Sequence, residues 1–325
     1  MSYRIFITLA LAAFVASGCN KSTTDDSVVS QTYIHKYGYA VSQEEWEEKN
    51  YPGQIISTLR NGSVITATYE NSELNGPCTY TYPHSQTVEK YVLYKQGTPV
   101  KEVFYDIKGM PMQETVQLSA NRSSLTMWYA DGVPRSVEEY AKDELIEGQY
   151  FTPSNELEAR VEKGKGLRVI RDTAGNLVCK DVIEMGFLAK RESFYPNGSP
   201  ECVATYERGQ LHGERKTFTA EGEPLALEEW VKGHLHGIST YYKNGAKELE
   251  VSYVYGKKNG WENHFIDGTT LSRQIAWDQD VKHGPEIFFV PNGKKIIWNY
   301  NGKEVSQNRY EEMTHLDEMI SQALD

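Results

Sequence analysis

The chain has 325 residues and a formal net charge of −11. That acidic balance weighs against unaided binding to nucleic acid or to an anionic bilayer, since both are polyanions, while the length allows one or two domains with a sizeable core. The 22 tyrosines and 26 glycines favour many short strands joined by tight turns over helices, so an all-β fold is expected.

The first segment reads as an export signal. Tyr3-Arg4 gives a positive start, Ile5 to Ala16 is an apolar run too short to span a bilayer, and Ala16-Ser17-Gly18 places small side chains before Cys19. This pattern resembles the lipobox of bacterial lipoproteins, with Ala16 where that family usually has leucine. The resemblance implies removal of residues 1–18, acylation of Cys19 with palmitate-type chains, and attachment to a membrane through them. Asn20 is not the aspartate associated with inner-membrane retention, which points to the outer membrane. Residues 19–31 are polar and lack aromatic side chains, as expected of a flexible tether.

Next comes an N-terminal cap, residues 32–52. Ser42 with Glu45 forms a capping box before Trp46, and Pro52 sets a limit, so one short helix is expected.

From about residue 53 the chain repeats itself with a period of 23–24. Gly213, Gly237, Gly260 and Gly284 mark the frame and are read as repeat turns. Five residues after each lies an aromatic: Phe218, Tyr242, Phe265 and Phe289. A second glycine follows, often as Asn-Gly or Asp-Gly: Asn244-Gly245, Asp267-Gly268 and Asn292-Gly293. A further aromatic comes next: Trp230, Tyr253, Trp277 and Tyr300, with Tyr206 at the same place one copy earlier. A third turn follows at Gly233, Gly256 and Asp280. The frame is strong over 186–308 and degenerate over 53–185.

Asn-Gly and Asp-Gly between strand-like runs predict type I′ turns, because both central residues then need positive φ. One copy is therefore one hairpin. Alternation in the second arm places Cys202, Ala204 and Tyr206 on one face, likewise Leu249, Val251 and Tyr253, and likewise Ile296, Trp298 and Tyr300. That face is expected to be buried, with Tyr206, Trp230, Tyr253, Trp277 and Tyr300 as repeat core; a fully buried Trp230 would cost about 3–5 kcal/mol to truncate. Hairpins must add side by side to cover one another. The expected fold is an elongated antiparallel meander of stacked β-hairpin repeats, roughly 90 Å long for some twenty strands. The stretches Gly237–Gly245 and Tyr206–Gly213 resemble the MORN repeat in its bacterial variant, the YwqK-like proteins. The resemblance implies a meandering sheet and scaffold or interaction roles more than chemistry.

Residues 309–325 place Met313, Leu316, Ile320 and Leu324 on one helical face. This predicts a C-terminal helix that caps the open sheet, or one that binds a partner through the same face.

Candidate chemical residues have simpler readings. Cys179 and Cys202 occupy equivalent positions in adjacent copies, two strand spacings or about 9.6 Å apart, beyond disulfide reach, so both are expected to be small buried thiols. The same spacing keeps His212, His236 and His283 from converging on one metal ion. Gly164-Lys165-Gly166 lacks the lysine-serine element and βαβ context of a phosphate loop. No carboxylate pair is singled out by spacing, and no Gly-x-Ser-x-Gly is present. No catalytic residue, metal or cofactor is assigned. The expected function is a non-enzymatic, lipid-anchored envelope scaffold for an unidentified envelope protein. The alternative is a cell-wall glycan or peptidoglycan module using the aromatic rows.

Overall fold

The computed structural model describes residues 28–324. The leader, Cys19 and the tether up to residue 27 lie outside the described residues. The chain divides between Asn176 and Leu177 into two compact units, one strand earlier than the point where the sequence repeats become regular. Each unit is an antiparallel meander, as the patterning predicts, and the molecule is an all-β repeat scaffold with one helix near each end of the described chain.

The first unit opens with the strand Val28–His35, paired with Gly53–Leu59. Its first four residues fall in the stretch read as tether; Val28 and Val29 supply strand propensity there, and Gly53–Leu59 supplies backbone partners. The helix Gln43–Lys49 starts where the capping box placed it: the Ser42 hydroxyl accepts from the Glu45 N–H at 3.2 Å, and Asn50 closes the helix in the left-handed conformation. Trp46 on this helix packs on Tyr33 and edge-on to Tyr69. This packing covers the first hairpins, whose core is Ala67, Leu74, Cys78, Val92 and Tyr94.

The second unit carries the regular copies. Every turn-like third position is a two-residue type I′ turn: Arg208-Gly209, Lys232-Gly233, Tyr255-Gly256, Gln279-Asp280 and Asn301-Gly302 all have two positive φ values. Asn244-Gly245 is also of this type, as predicted (φ 52° and 73°). Asp267-Gly268 is not, since only the glycine has positive φ. Asn197-Gly198 and Glu221-Gly222 close wider loops in which Gly198 and Gly222 donate to the carbonyls of Tyr195 and Thr219. In such loops an ordinary turn is followed by one left-handed glycine and a bulge.

Gly213, Gly237, Gly260 and Gly284, read from sequence as turns, stand instead inside the paired region. Gly213 faces Trp230, Gly237 faces Tyr253, Gly260 faces Trp277 and Gly284 faces Asn299 across neighbouring strands. They sit at bulges. Between the pairs Val251↔Glu262 and Tyr253↔Lys258 one strand advances four residues while the other advances two; the same holds between Ile275↔Glu286 and Trp277↔Lys282. Positive φ, from 88° to 110°, lets the glycines absorb the extra residues.

The last hairpin departs from the others. Four hairpins place one extra residue in the second arm shortly after the loop, as between Phe265↔Leu271 and His264↔Arg273. The strands Val281–Val290 and Gly293–Tyr300 pair without any such shift. Glu286 therefore faces Ile297, not Trp298, and the face assignment made for Ile296, Trp298 and Tyr300 is inverted. Ile296 is 46% exposed. Asn299, which is buried, occupies the place expected for Tyr300.

The C-terminal helix, Gln307–Leu324, takes up those inverted rings. Tyr310 lies 4.9 Å from the Trp298 ring, and Asp317 accepts a 2.6 Å hydrogen bond from the Tyr300 hydroxyl. Only the first part of the helix docks, because Leu316 is 52% exposed and Ile320 50%. Capping thus runs through Tyr310, not through the predicted apolar stripe.

Candidate functional site

The two faces of the second unit differ in chemistry. The inner face centres on a row of directly opposed residues. Asp181 faces Arg191, Arg191 faces Ala204, Ala204 faces Arg215 and Arg215 faces Glu228. Further along, Ser239 faces Val251, then come Glu262, Ile275 and Glu286. Nearly all of this row is buried, including its four carboxylates.

Each carboxylate is held by a cation, which is the condition for burying charge. Asp181, with no exposed surface, takes a two-pronged contact from Arg191 at 2.7 and 2.8 Å. That contact, outweighing burial, raises the Arg191 guanidinium above its ordinary value. Glu228 accepts from Arg215 at 2.7 Å and from the Trp230 indole at 3.2 Å. Glu262 is bound by Lys258 and by His264 at 2.7 Å; Glu286 is bound by Arg273 and by Lys282 at 2.7 Å. Burial pulls the Glu262 and Glu286 carboxyls upward, but these hydrogen bonds and charges win and hold both below the usual carboxylate value.

The aromatic positions Tyr206, Trp230, Tyr253 and Trp277 share this inner face and are half-buried, not fully buried. The most buried position lies two residues earlier, at Ala204, Glu228, Val251 and Ile275. The rings roof the ion pairs: Lys258, which binds Glu262, lies 4.7 Å from the centre of the Trp277 ring. Sequence reasoning found the ring positions but missed the carboxylates beside them. The signal was present in the alternation, where an acid two residues before an aromatic, as in Glu228 and Trp230, shares its face.

The first unit has a comparable cluster. Buried Glu138 accepts from Tyr150 at 2.9 Å and from Tyr140 at 2.7 Å, and pairs with Arg168 at 2.8 Å. Burial first, and the Glu138 charge second, push the Tyr150 hydroxyl far above its ordinary range. A shallow cleft of about 240 Å³ nearby is lined by Glu139, Glu147 and Glu162.

The other sequence candidates fall into structural places. Cys179 and Cys202 both face Ser193, from opposite sides, and neither is in a disulfide; Cys179 is buried and Cys202 half-buried. The Nδ1 atoms of His236 and His283 each lie 3.4 Å from a backbone nitrogen of the next type I′ turn, at Tyr255 and Asn301. Among the described residues no three His, Cys, Asp or Glu side chains converge as a metal-ligand set. Gly164 closes a type I′ turn with Lys163, and Gly166 pairs with Val161. Among the described residues no helix is long and apolar enough to cross a membrane.

The outer face carries Trp261, 40% exposed, directly opposite Ala276. On either side of that pair stand Asn263 with Gln274, hydrogen-bonded at 2.9 Å, and Asn259 with Asp278, at 3.2 Å. Trp261 was not singled out in the sequence, because it follows the frame glycine and falls outside the aromatic series.

No protein-family model matches the chain, and no curated protein matches it. Among solved structures, the TcdB2-TccC3-Cdc42 crystal structure is similar at 12% identity, with 84% of this chain and 16% of that chain covered and a TM-score of 0.21. The TcdB2-TccC3 complex is similar at 11% identity, covering 84% of this chain and 18% of that one, with a TM-score of 0.14. This chain thus spans less than a fifth of the length of the structures it matches. At such TM-scores the likeness carries no argument about fold or function.

Proposed function

We propose that the chain is a non-enzymatic interaction scaffold of the bacterial envelope, of MORN-like repeat type, anchored by acyl chains on Cys19 and facing an envelope protein partner from the outer membrane. The observation that carries the scaffold reading is the inner row of the second unit. Its carboxylates are each bound to a cation and roofed by rings, which is how a protein holds a sheet rigid, not how it poises an acid and a base. Rigid sheet with side chains committed inward leaves the outer face for recognition. The same observation disfavours a glycan platform built on Tyr206, Trp230, Tyr253 and Trp277, since those rings are half-covered.

The anchor is tested by growing cells with an alkyne-tagged fatty acid. The wild-type chain should take the label and fractionate with the outer membrane, and Cys19→Ser should lose both. A label that persists in the variant, or an unlabelled wild-type chain, overturns the anchor. Photo-cross-linking from the outer face of the native anchored protein tests the partner. A discrete adduct is expected at Ile238, which is 56% exposed and faces Ser252 on the outer side, and it should be absent when the cross-linker replaces buried Val251; indiscriminate adducts from both positions would reject the scaffold reading.

A further inference from the structure

The chain holds seven Asn-Gly pairs, the dipeptide in which asparagine most readily loses ammonia, because glycine leaves the following backbone nitrogen unobstructed. Two freedoms decide which pair reacts in the folded protein: the asparagine amide must be unheld, and so must the glycine N–H whose nitrogen becomes the nucleophile. Most of the side chains are held. Asn61 accepts from the Ser63 N–H, Asn301 Oδ1 meets His283 Nδ1 at 3.1 Å, and the amide nitrogens of Asn75, Asn197 and Asn259 donate to Glu70, Ala220 and Asp278. Asn244 and Asn292 alone keep a side chain without a partner among the described residues. The glycines separate those two, since Gly293 is paired with Val290 across its own turn. Gly62, Gly198 and Gly302 donate to the carbonyls of Leu59, Tyr195 and Lys282, and Gly76 and Gly260 stand inside paired strands. Gly245 donates to nothing among the described residues, and Asn244-Gly245 is exposed at a two-residue type I′ tip.

We propose that Asn244 is a self-modification site, which turns this hairpin tip acidic and loosens it without an enzyme. Solvent hydroxide takes the Gly245 N–H proton, and the nitrogen bonds to Asn244 Cγ. The Cγ–Nδ2 bond breaks, and the leaving nitrogen takes a proton from water and departs as ammonia, which leaves a cyclic imide and regenerates hydroxide. Water then opens either imide carbonyl: opening at Cγ gives aspartate, and opening at the backbone carbonyl gives isoaspartate. Both products place a new carboxylate at the tip. A Cβ on Gly245 would lie 3.8 Å from a Glu223 carboxylate oxygen, so the new charge arrives beside a like one. Isoaspartate also routes the main chain through Cβ and lengthens it, so the two-residue turn that pairs Lys243 with Ala246 cannot be kept. The strands Gly237–Lys243 and Ala246–Val254 therefore open from that closing pair. The site depends neither on the membrane anchor nor on a protein partner.

The test ages the full chain at mildly alkaline pH and follows it by peptide mapping, with isoaspartate-specific methylation to mark the rearranged product. In the folded chain Asn244 should convert at least about tenfold faster than any other Asn-Gly pair. In urea, where the turn bonds are gone, all the pairs should convert at similar rates. Asn244→Gly, which suits the positive φ of the turn, should remove the fast-forming acidic species. Hydrogen exchange of the aged wild-type chain should speed up at Lys243 and Ala246. Another pair converting first in the folded chain, similar rates for all the pairs there, a fast acidic species that persists in Asn244→Gly, or unchanged exchange at Lys243 and Ala246 would each overturn the proposal.

Discussion

Gly284 and Ala276 meet so closely across adjacent strands that a Cβ on the glycine would lie 2.9 Å from the alanine Cβ, and the glycine holds φ at +110°. Gly284→Ala therefore adds backbone strain to a forced strand separation and should cost about 2–4 kcal/mol. Gly222, also at positive φ but with open space where its Cβ would be, should show strain alone, about 1–2 kcal/mol. Urea unfolding of the two variants measures the difference. Equal costs would mean the bulge contact yields freely.

Removing one partner of a buried ion pair leaves the other charge poorly compensated. Arg191→Met takes the two-pronged partner from Asp181, which is fully buried, and should destabilise by about 3–5 kcal/mol. Replacing both residues, Asp181→Leu with Arg191→Met, should recover most of that loss. A double-mutant cycle on unfolding free energy decides it, and a double variant no better than the single would contradict the pairing.

Trp230 is half-buried and gives its indole N–H to Glu228. Its truncation to alanine should therefore cost about 1–3 kcal/mol, below the figure for a fully enclosed ring. Trp230→Phe, which keeps the ring stacking area but drops the N–H, should recover most of the packing and leave a deficit of about 1 kcal/mol. Thermal unfolding of the pair separates area from hydrogen bond.

Acid should weaken the second unit in a defined order. The folded Glu262 and Glu286 carboxyls lie below their unfolded values, so their contribution is complete above the unfolded carboxylate value of about 4.3 and is lost as pH falls through the folded values. Unfolding midpoints followed from neutral pH into that acid range should fall, and Glu262→Gln with Glu286→Gln should flatten the fall. Asp267, exposed in a loop, is held at about 2 by the N–H groups of Thr270 and Thr269 and by the Thr270 hydroxyl. Carbon-detected NMR titration should find Asp267 protonating at about 2.

Cys179 and Cys202 flank Ser193 from either side, and burial, outweighing Arg215, pushes the Cys202 thiol upward. Both should react sluggishly with iodoacetamide in the folded protein and readily in urea. Peptide mapping without reductant should recover them unlinked; a 179–202 crosslink would require a register other than the one observed.

Much of this architecture could be read from the chain because period-2 alternation and paired glycines are local signals. The capping box at Ser42, the hairpin frame and the type I′ turn at Asn244-Gly245 appear as expected. The places where reading failed share a cause. Gly213 and its counterparts look like turn glycines, but whether a glycine sits in a connection or in a bulge depends on the partner strand, which no local pattern reports. The Tyr300 assignment failed because one bulge is missing from the last hairpin. The buried carboxylates were passed over because acids in a strand pattern are usually solvent-facing, and the cations that bind them, Arg191, Arg215, Lys258, Arg273 and Lys282, make these ones tolerable inside. Trp261 escaped because it belongs to the face that the repeat does not use for packing.

The bulge at each frame glycine inserts two residues, an even number, so side chains beyond it return to the face they left, whereas the loop-side bulge inserts one and exchanges the faces. The repeat therefore obeys a parity rule: lengthening an arm by two residues conserves which side points inward, and lengthening it by one does not. In the last hairpin that single step is omitted, and the rings it would have turned inward become the seat of the terminal helix. The docking face for the Gln307–Leu324 helix is thus set by a single residue in the arm before it.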